Sequence, residues 1–87
     1  MKIWTISDTH CNHKQLEIPD VDMVIHAGDA SSYRDLSQND AEMHTFLAWF
    51  NNLPIKYKIY IPGNHDTSVE AGMHEFQEYY PEVIVLI

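Results

Sequence analysis

The chain has 87 residues, room for one small domain spanning 1–87, and a chain of this length buries little more than ~60% of its unfolded surface. Thirteen acidic residues against 5 basic ones give a formal charge of −8, which argues against a nucleic-acid partner held through its phosphates and suits divalent cations. No apolar run approaches the ~20 residues of a membrane span, "MKIWTISD" lacks the apolar core of a signal peptide, and the lone Cys11 has no internal disulfide partner, so the expected location is cytoplasmic, with no membrane contact.

Lys2 to Ser7 is rich in β-formers (Ile3, Trp4, Thr5, Ile6) and predicts a first strand. A short helical turn is expected over Asn12 to Glu17. The nearly continuous apolar run Met23 to Ala27 predicts a strand covered on both faces, broken by Gly28. From Asn39 the period changes. Met43, Phe46, Leu47, Phe50 and Leu53 recur at three- and four-residue spacing and form the apolar face of a helix. Asn39 with Glu42 reads as its capping box, and Pro54 closes its other end. The alternating "IKYKIYIP" predicts a third strand over Lys56 to Ile61, Ser68 to Tyr80 a second helix weakened by Gly72 and ended by Pro81, and "VIVLI" a fourth strand over 83–87. Strands alternating with helices imply an α/β domain with a parallel sheet and right-handed crossovers. The bare apolar final strand is expected to be covered by a partner chain, by more of a longer domain, or by neighbouring elements.

Three strands end in the same kind of residue: Asp8 and His10 after the first, Asp29 after the second, and "GNHD", Gly63 to Asp66, after the third. In an open parallel sheet the carboxyl ends of the strands converge on one crevice. Carboxylates mixed with imidazole and an amide oxygen suit Mn²⁺, Fe²⁺ or Zn²⁺ better than Ca²⁺, and one bridging carboxylate allows a pair of ions.

In order and spacing, "SDTH", "HAGD" and "IPGNHD" resemble the first three motifs of the calcineurin-like metallophosphoesterases, D-x-H, G-D and G-N-H-D/E. The resemblance covers essentially the whole chain and implies the N-terminal part of that family's fold, a sandwich built from βαβ units on a parallel sheet. It implies a metal-dependent phosphoesterase acting on a phosphate-ester substrate, a phosphodiester or phosphomonoester. Asp8 and His10 would bind the first ion, Asp29 would bridge two divalent ions, and Asn64 would bind the second. His65 would protonate the leaving oxygen, with Asp66 orienting it, a role that suits an imidazole beside a carboxylate. The ions would polarise the phosphoryl oxygens and activate water for in-line attack.

The family pattern continues with a lone histidine and a G-H-x-H motif, neither of which this chain contains. The second ion is therefore expected to bind poorly to this chain alone. A second chain, or a homo-oligomer, completing both sheet and metal site is the expected partner. The alternative is an inactive metallophosphoesterase-like fragment that serves as a binding or regulatory module. Blander readings attach to the remaining residues. His26 reads as a core histidine. His13 reads either as a phosphate contact or support for His10, or as a solvated loop residue. Cys11 reads as a free thiol, His44 as a residue on the polar side of its helix with no chemical role, and Trp49 and Phe50 as core or interface. Arg34 reads either as a phosphate contact or, more commonly, as a surface ion pair, and His74 does not replace a missing ligand.

Overall fold

A computed structural model describes residues 1–32, 35–63, 66, 68 and 73–86, with the backbone alone at 36 and 73–75. Strand β1 (Ile3–Ile6) is followed by a 3-10 turn (His13–Gln15), β2 (Met23–His26), helix α1 (Leu36–Asn51), β3 (Tyr57–Tyr60), helix α2 (Met73–Tyr79) and β4 (Val83–Val85). The four strands pair in the order β1-β2-β3-β4, all parallel. Each strand thus lies beside the next in sequence and points the same way, which brings the ends of β1, β2 and β3 to one edge of the sheet.

Register divides the side chains into two faces. Trp4, Val24, Lys58 and Val83 share one rung and Ile6, His26, Tyr60 and Val85 another. This face packs on Met43, Phe46, Leu47 and Phe50 of α1 and Phe76 of α2 to form the core. Lys58 joins it by donating its ammonium to the Asn51 carbonyl at the end of α1, where the helix dipole favours a cation. The opposite face carries Ile3, Met23, Tyr57, Ile59 and Ile84, of which Ile3 and Ile84 are about half exposed. Cover on both faces, expected for the second strand, is therefore not what the described residues provide: Val24 and His26 are buried, and Met23 and Ile25 only partly so.

Helix α1 starts earlier than the capping-box reading placed it. Asp35 is the N-cap, its carboxylate accepting the Gln38 N–H at 3.3 Å and the Ser37 hydroxyl at 2.7 Å. Asn39 lies inside the helix and is fully buried. At the far edge, Gln77 of α2 lies along β4: its Nε2 donates to the Val83 carbonyl at 2.6 Å and its Oε1 accepts the Val85 N–H at 3.1 Å. Two outward backbone groups of that edge, Val83 O and Val85 N–H, are thus held by a side-chain amide. His44, expected to have no chemical role, takes a structural one. Its Nδ1 lies 2.8 Å from the Tyr80 hydroxyl and its ring packs on Phe76, joining α1 to the end of α2.

Candidate metal centre

Beyond the last residues of β1 and β2 the two loops stay laced together. Asp8 N–H donates to Gly28 O at 2.8 Å, His10 N–H to Asp29 O at 3.1 Å and Cys11 N–H to Ala30 O at 2.8 Å. Both loops turn through left-handed backbone at Asp8 (φ +54°), His10 (+42°), Cys11 (+66°) and Asp29 (+59°). Side chains with a Cβ occupy that region at a cost of ~1–3 kcal/mol each, and such residues concentrate at functional sites.

The turns bring Asp8, His10 and Asp29 together. One ligand atom from each lies within 4.8 Å of the others, and among the described residues this is the group able to hold a metal ion. His10 Nε2 stands 3.8 Å from Asp8 Oδ1, while its Nδ1 lies 2.9 Å from the Ser31 carbonyl oxygen. A carbonyl only accepts, so Nδ1 carries the proton and the Nε2 lone pair faces the carboxylates. A histidine ligand needs that tautomer, with its second nitrogen held by an outer partner. Two carboxylates and a neutral imidazole fit Mn²⁺, Fe²⁺ or Zn²⁺.

Gly63 packs directly against this group. A Cβ built there would lie 2.5 Å from Asp29 Oδ1 and 2.7 Å from Asp29 N, and one at Gly28 (φ +107°) would lie 2.7 Å from Gly63 N. The glycines of "HAGD" and "GNHD" are therefore close-approach positions where the loops after β2 and β3 touch. The next two residues of the motif, Asn64 and His65, lie outside the described residues, as do Arg34 and the side chain of His74.

Asp66 is described and is fully buried. Its Oδ2 accepts the Asp29 N–H at 2.7 Å, the Gly63 N–H at 2.9 Å and the Tyr60 hydroxyl; its Oδ1 accepts the Ser31 N–H at 3.1 Å and the Ser31 hydroxyl at 2.6 Å. The carboxylate thus ties the loop after β2 to the loop after β3. Burial, then the neighbouring Asp66 charge, push the Tyr60 phenol pKa far above its ordinary value, so it stays a donor. The contact expected between Asp66 and His65 lies outside the described residues.

The other histidines take structural places. His26 is buried beneath the site, where its Nδ1 accepts the Gly28 N–H at 3.1 Å and its Nε2 lies 3.0 Å from the Thr9 hydroxyl. His13 is neither solvated nor a phosphate contact: it is only 2% exposed, packed between Phe46 and Trp49, and neither ring nitrogen has a hydrogen-bond partner among the described residues. Cys11 donates to Glu42 at 2.8 Å, and burial together with that carboxylate raises its thiol pKa, the opposite of a reactive thiolate. Glu42, read as half of a capping box, instead reaches out of α1 to Cys11 and to the Ser32 N–H.

Sequence reasoning gave Ser31 and Tyr60 no role of their own and read Asn39 only as a cap. A signal for Asn39 was present in its spacing: positions 39, 43, 46 and 50 share the buried stripe of the helix, so an amide there faces inward.

A model of the calcineurin-like phosphoesterases matches residues 1–86. The chain is 34% identical over 79 residues to metallophosphoesterase domain-containing protein 1 of Homo sapiens, covering 91% of this chain and 21% of that protein. It is 44% identical over 69 residues to a UPF0046 protein of Caenorhabditis elegans, covering 77% of this chain and 23% of the relative. It is also 34% identical over 74 residues to a probable rhamnogalacturonate lyase C of Emericella nidulans, covering 85% of this chain but 6% of that protein. The chain thus spans less than a quarter of the length of these relatives, while the family model matches nearly all of this chain. The chain belongs to the calcineurin-like phosphoesterase family.

Proposed function

We propose that this chain is the metal-binding first part of a phosphoesterase that hydrolyses phosphate esters, diesters or monoesters, at a centre of two divalent ions. The observation that carries the reading is the convergence of Asp8, His10 and Asp29, with His10 presenting its lone pair to the two carboxylates. In this reading these three hold the first ion, and Asp29 with Asn64 contributes to the second. Bound ions supply Lewis-acid polarisation of the phosphate and a lowered pKa for water. His65 delivers the proton to the leaving oxygen, and Asp66 acts as a positioning residue.

With Asn64 as the only further ligand in the proposed second site, residues 1–87 serve as one incomplete domain. A second chain, a further segment of a longer one, or a second copy completes the site. A strand added at β4 must first displace Gln77 from the Val83 and Val85 backbone. A cytoplasmic location agrees with the single cysteine.

Metal stoichiometry and phosphodiesterase turnover, measured on purified residues 1–87 with and without a fragment carrying a lone histidine and G-H-x-H, test this. One tightly bound Mn²⁺ and negligible turnover alone, with turnover restored by the fragment, are expected. Two tight ions and full turnover from the chain alone overturn the incomplete site. A chain that binds no ion in either condition overturns the metal centre and leaves the regulatory-module reading.

A further inference from the structure

Between helix α1 and the loops that carry the ligands runs a buried line of polar groups that continues past Asp66 and Ser31 to Asn39 and Ser68, two residues the metal-centre reading does not use. Asn39 Nδ2 donates to the Ser31 hydroxyl oxygen at 2.7 Å, and the Ser31 hydroxyl donates to Asp66 Oδ1 at 2.6 Å. The Asn39 carbonyl oxygen accepts both the Ser68 N–H at 3.0 Å and the Ser68 hydroxyl at 2.6 Å. A backbone N–H needs an acceptor, so the Ser68 contact sets which end of the Asn39 amide faces which way, and the donor end faces Ser31. Ser31, Asn39 and Asp66 are each buried to within 1%.

Two branches lead from Ser31 to the ligands. Its carbonyl accepts His10 Nδ1–H and sets the tautomer. Its hydroxyl and its N–H are both bound to Asp66, whose other oxygen accepts the Asp29 N–H. Buried hydrogen bonds of this kind restrain position strongly, because each donor left without an acceptor loses its solvation.

We infer that Asn39 is a positioning residue for the metal centre, acting from helix α1 through Ser31 and Asp66 on the placement of His10 and Asp29. This rests on the metal-centre reading for its functional meaning, though the coupling itself is measurable without metal. Asn39→Asp is the sharpest variant: it keeps the acceptor for Ser68 and the shape, but removes the donor to Ser31 and sets a second carboxylate near Asp66. Ser31→Ala removes one hydroxyl, and Ser31→Thr restores it.

Two readouts decide. In metal-free protein, amide hydrogen exchange at Asp29 and Ser31 is expected to quicken in Asn39→Asp and Ser31→Ala relative to exchange at Val24 in the core, and to return toward wild type in Ser31→Thr. In calorimetric titration with Zn²⁺ alone, the first two variants are expected to bind ~10–100-fold more weakly, the usual range for lost outer partners of metal ligands, with Ser31→Thr again recovering. A merely structural role lowers the unfolding midpoint without either local effect. Unchanged relative exchange in folded variants overturns the coupling, and unchanged Zn²⁺ affinity overturns its bearing on the centre. If wild-type protein binds no Zn²⁺, the metal centre fails while the exchange data still judge the relay. Should both Asn39→Asp and Ser31→Ala fail to fold, exchange in the wild type decides: Asp29 and Ser31 amides that exchange as fast as exposed loop amides overturn the relay, and protection matching Val24 supports it.

Discussion

Acid should destabilise this protein through His26. The ring is fully buried among Phe46, Phe50 and Tyr60, its Nδ1 already accepts the Gly28 N–H, and burial pushes its pKa from 6.5 down to about 4 against the opposing pull of Asp66 and Asp8. Above pH 6.5 the imidazole is neutral in both states and the folded protein keeps its full stability. Between 6.5 and about 4 the unfolded chain takes up a proton that the folded chain refuses, so stability falls as the pH falls, and it levels off below the folded pKa. At ~1.4 kcal/mol per pH unit the difference amounts to about 3 kcal/mol, a large share of the ~5–15 kcal/mol that holds a small domain together. Urea unfolding in a chelator, followed by tryptophan fluorescence from Trp4 and Trp49 between pH 7.5 and 4, measures the loss. In His26→Phe the overall stability is lower, since the Gly28 N–H loses its acceptor, but the pH dependence through this window is expected to be flatter by that same amount. Direct NMR titration of the His26 ring in the wild type needs no variant and is expected to show the neutral form persisting to about pH 4. A ring that titrates near 6.5 in the folded protein would refute the reasoning.

Two further outcomes follow from individual contacts. His13→Phe is expected to stabilise the fold by about 1 kcal/mol or more, because a buried imidazole without hydrogen-bond partners costs ~1–3 kcal/mol and the adjoining cavity of about 200 Å³ admits the larger ring; a lowered unfolding midpoint contradicts this. Gly63→Ala is expected to weaken Zn²⁺ binding by ~10-fold or more, since the added methyl falls 2.5 Å from Asp29 Oδ1 and forces the carboxylate aside; calorimetry showing wild-type affinity in folded protein rules that out.

The sequence by itself determined the order of elements and the three strand-end clusters. Both are local signals: β-formers in short runs, the three- and four-residue spacing of Met43, Phe46 and Phe50, and chemistry-bearing residues placed where apolar runs stop. Parallel order then sufficed to bring Asp8, His10 and Asp29 to one edge. Only the tertiary structure decided which polar residues are exposed and which are clasped inside, because that depends on partners far away in sequence. Asn39 looked like a cap since capping chemistry and buried-amide chemistry use the same side chain; its contacts to Ser31 and Ser68 come from two other segments. Asp66 reads in the sequence as an acid beside a histidine; that its carboxylate is also the meeting point of Asp29, Ser31, Tyr60 and Gly63 is decided only by the fold. The β4 edge looked bare because no run of residues predicts that a glutamine side chain will stand in for a strand. Hydrophobic periodicity is written along the chain, whereas the satisfaction of buried polar groups is a property of the packed whole.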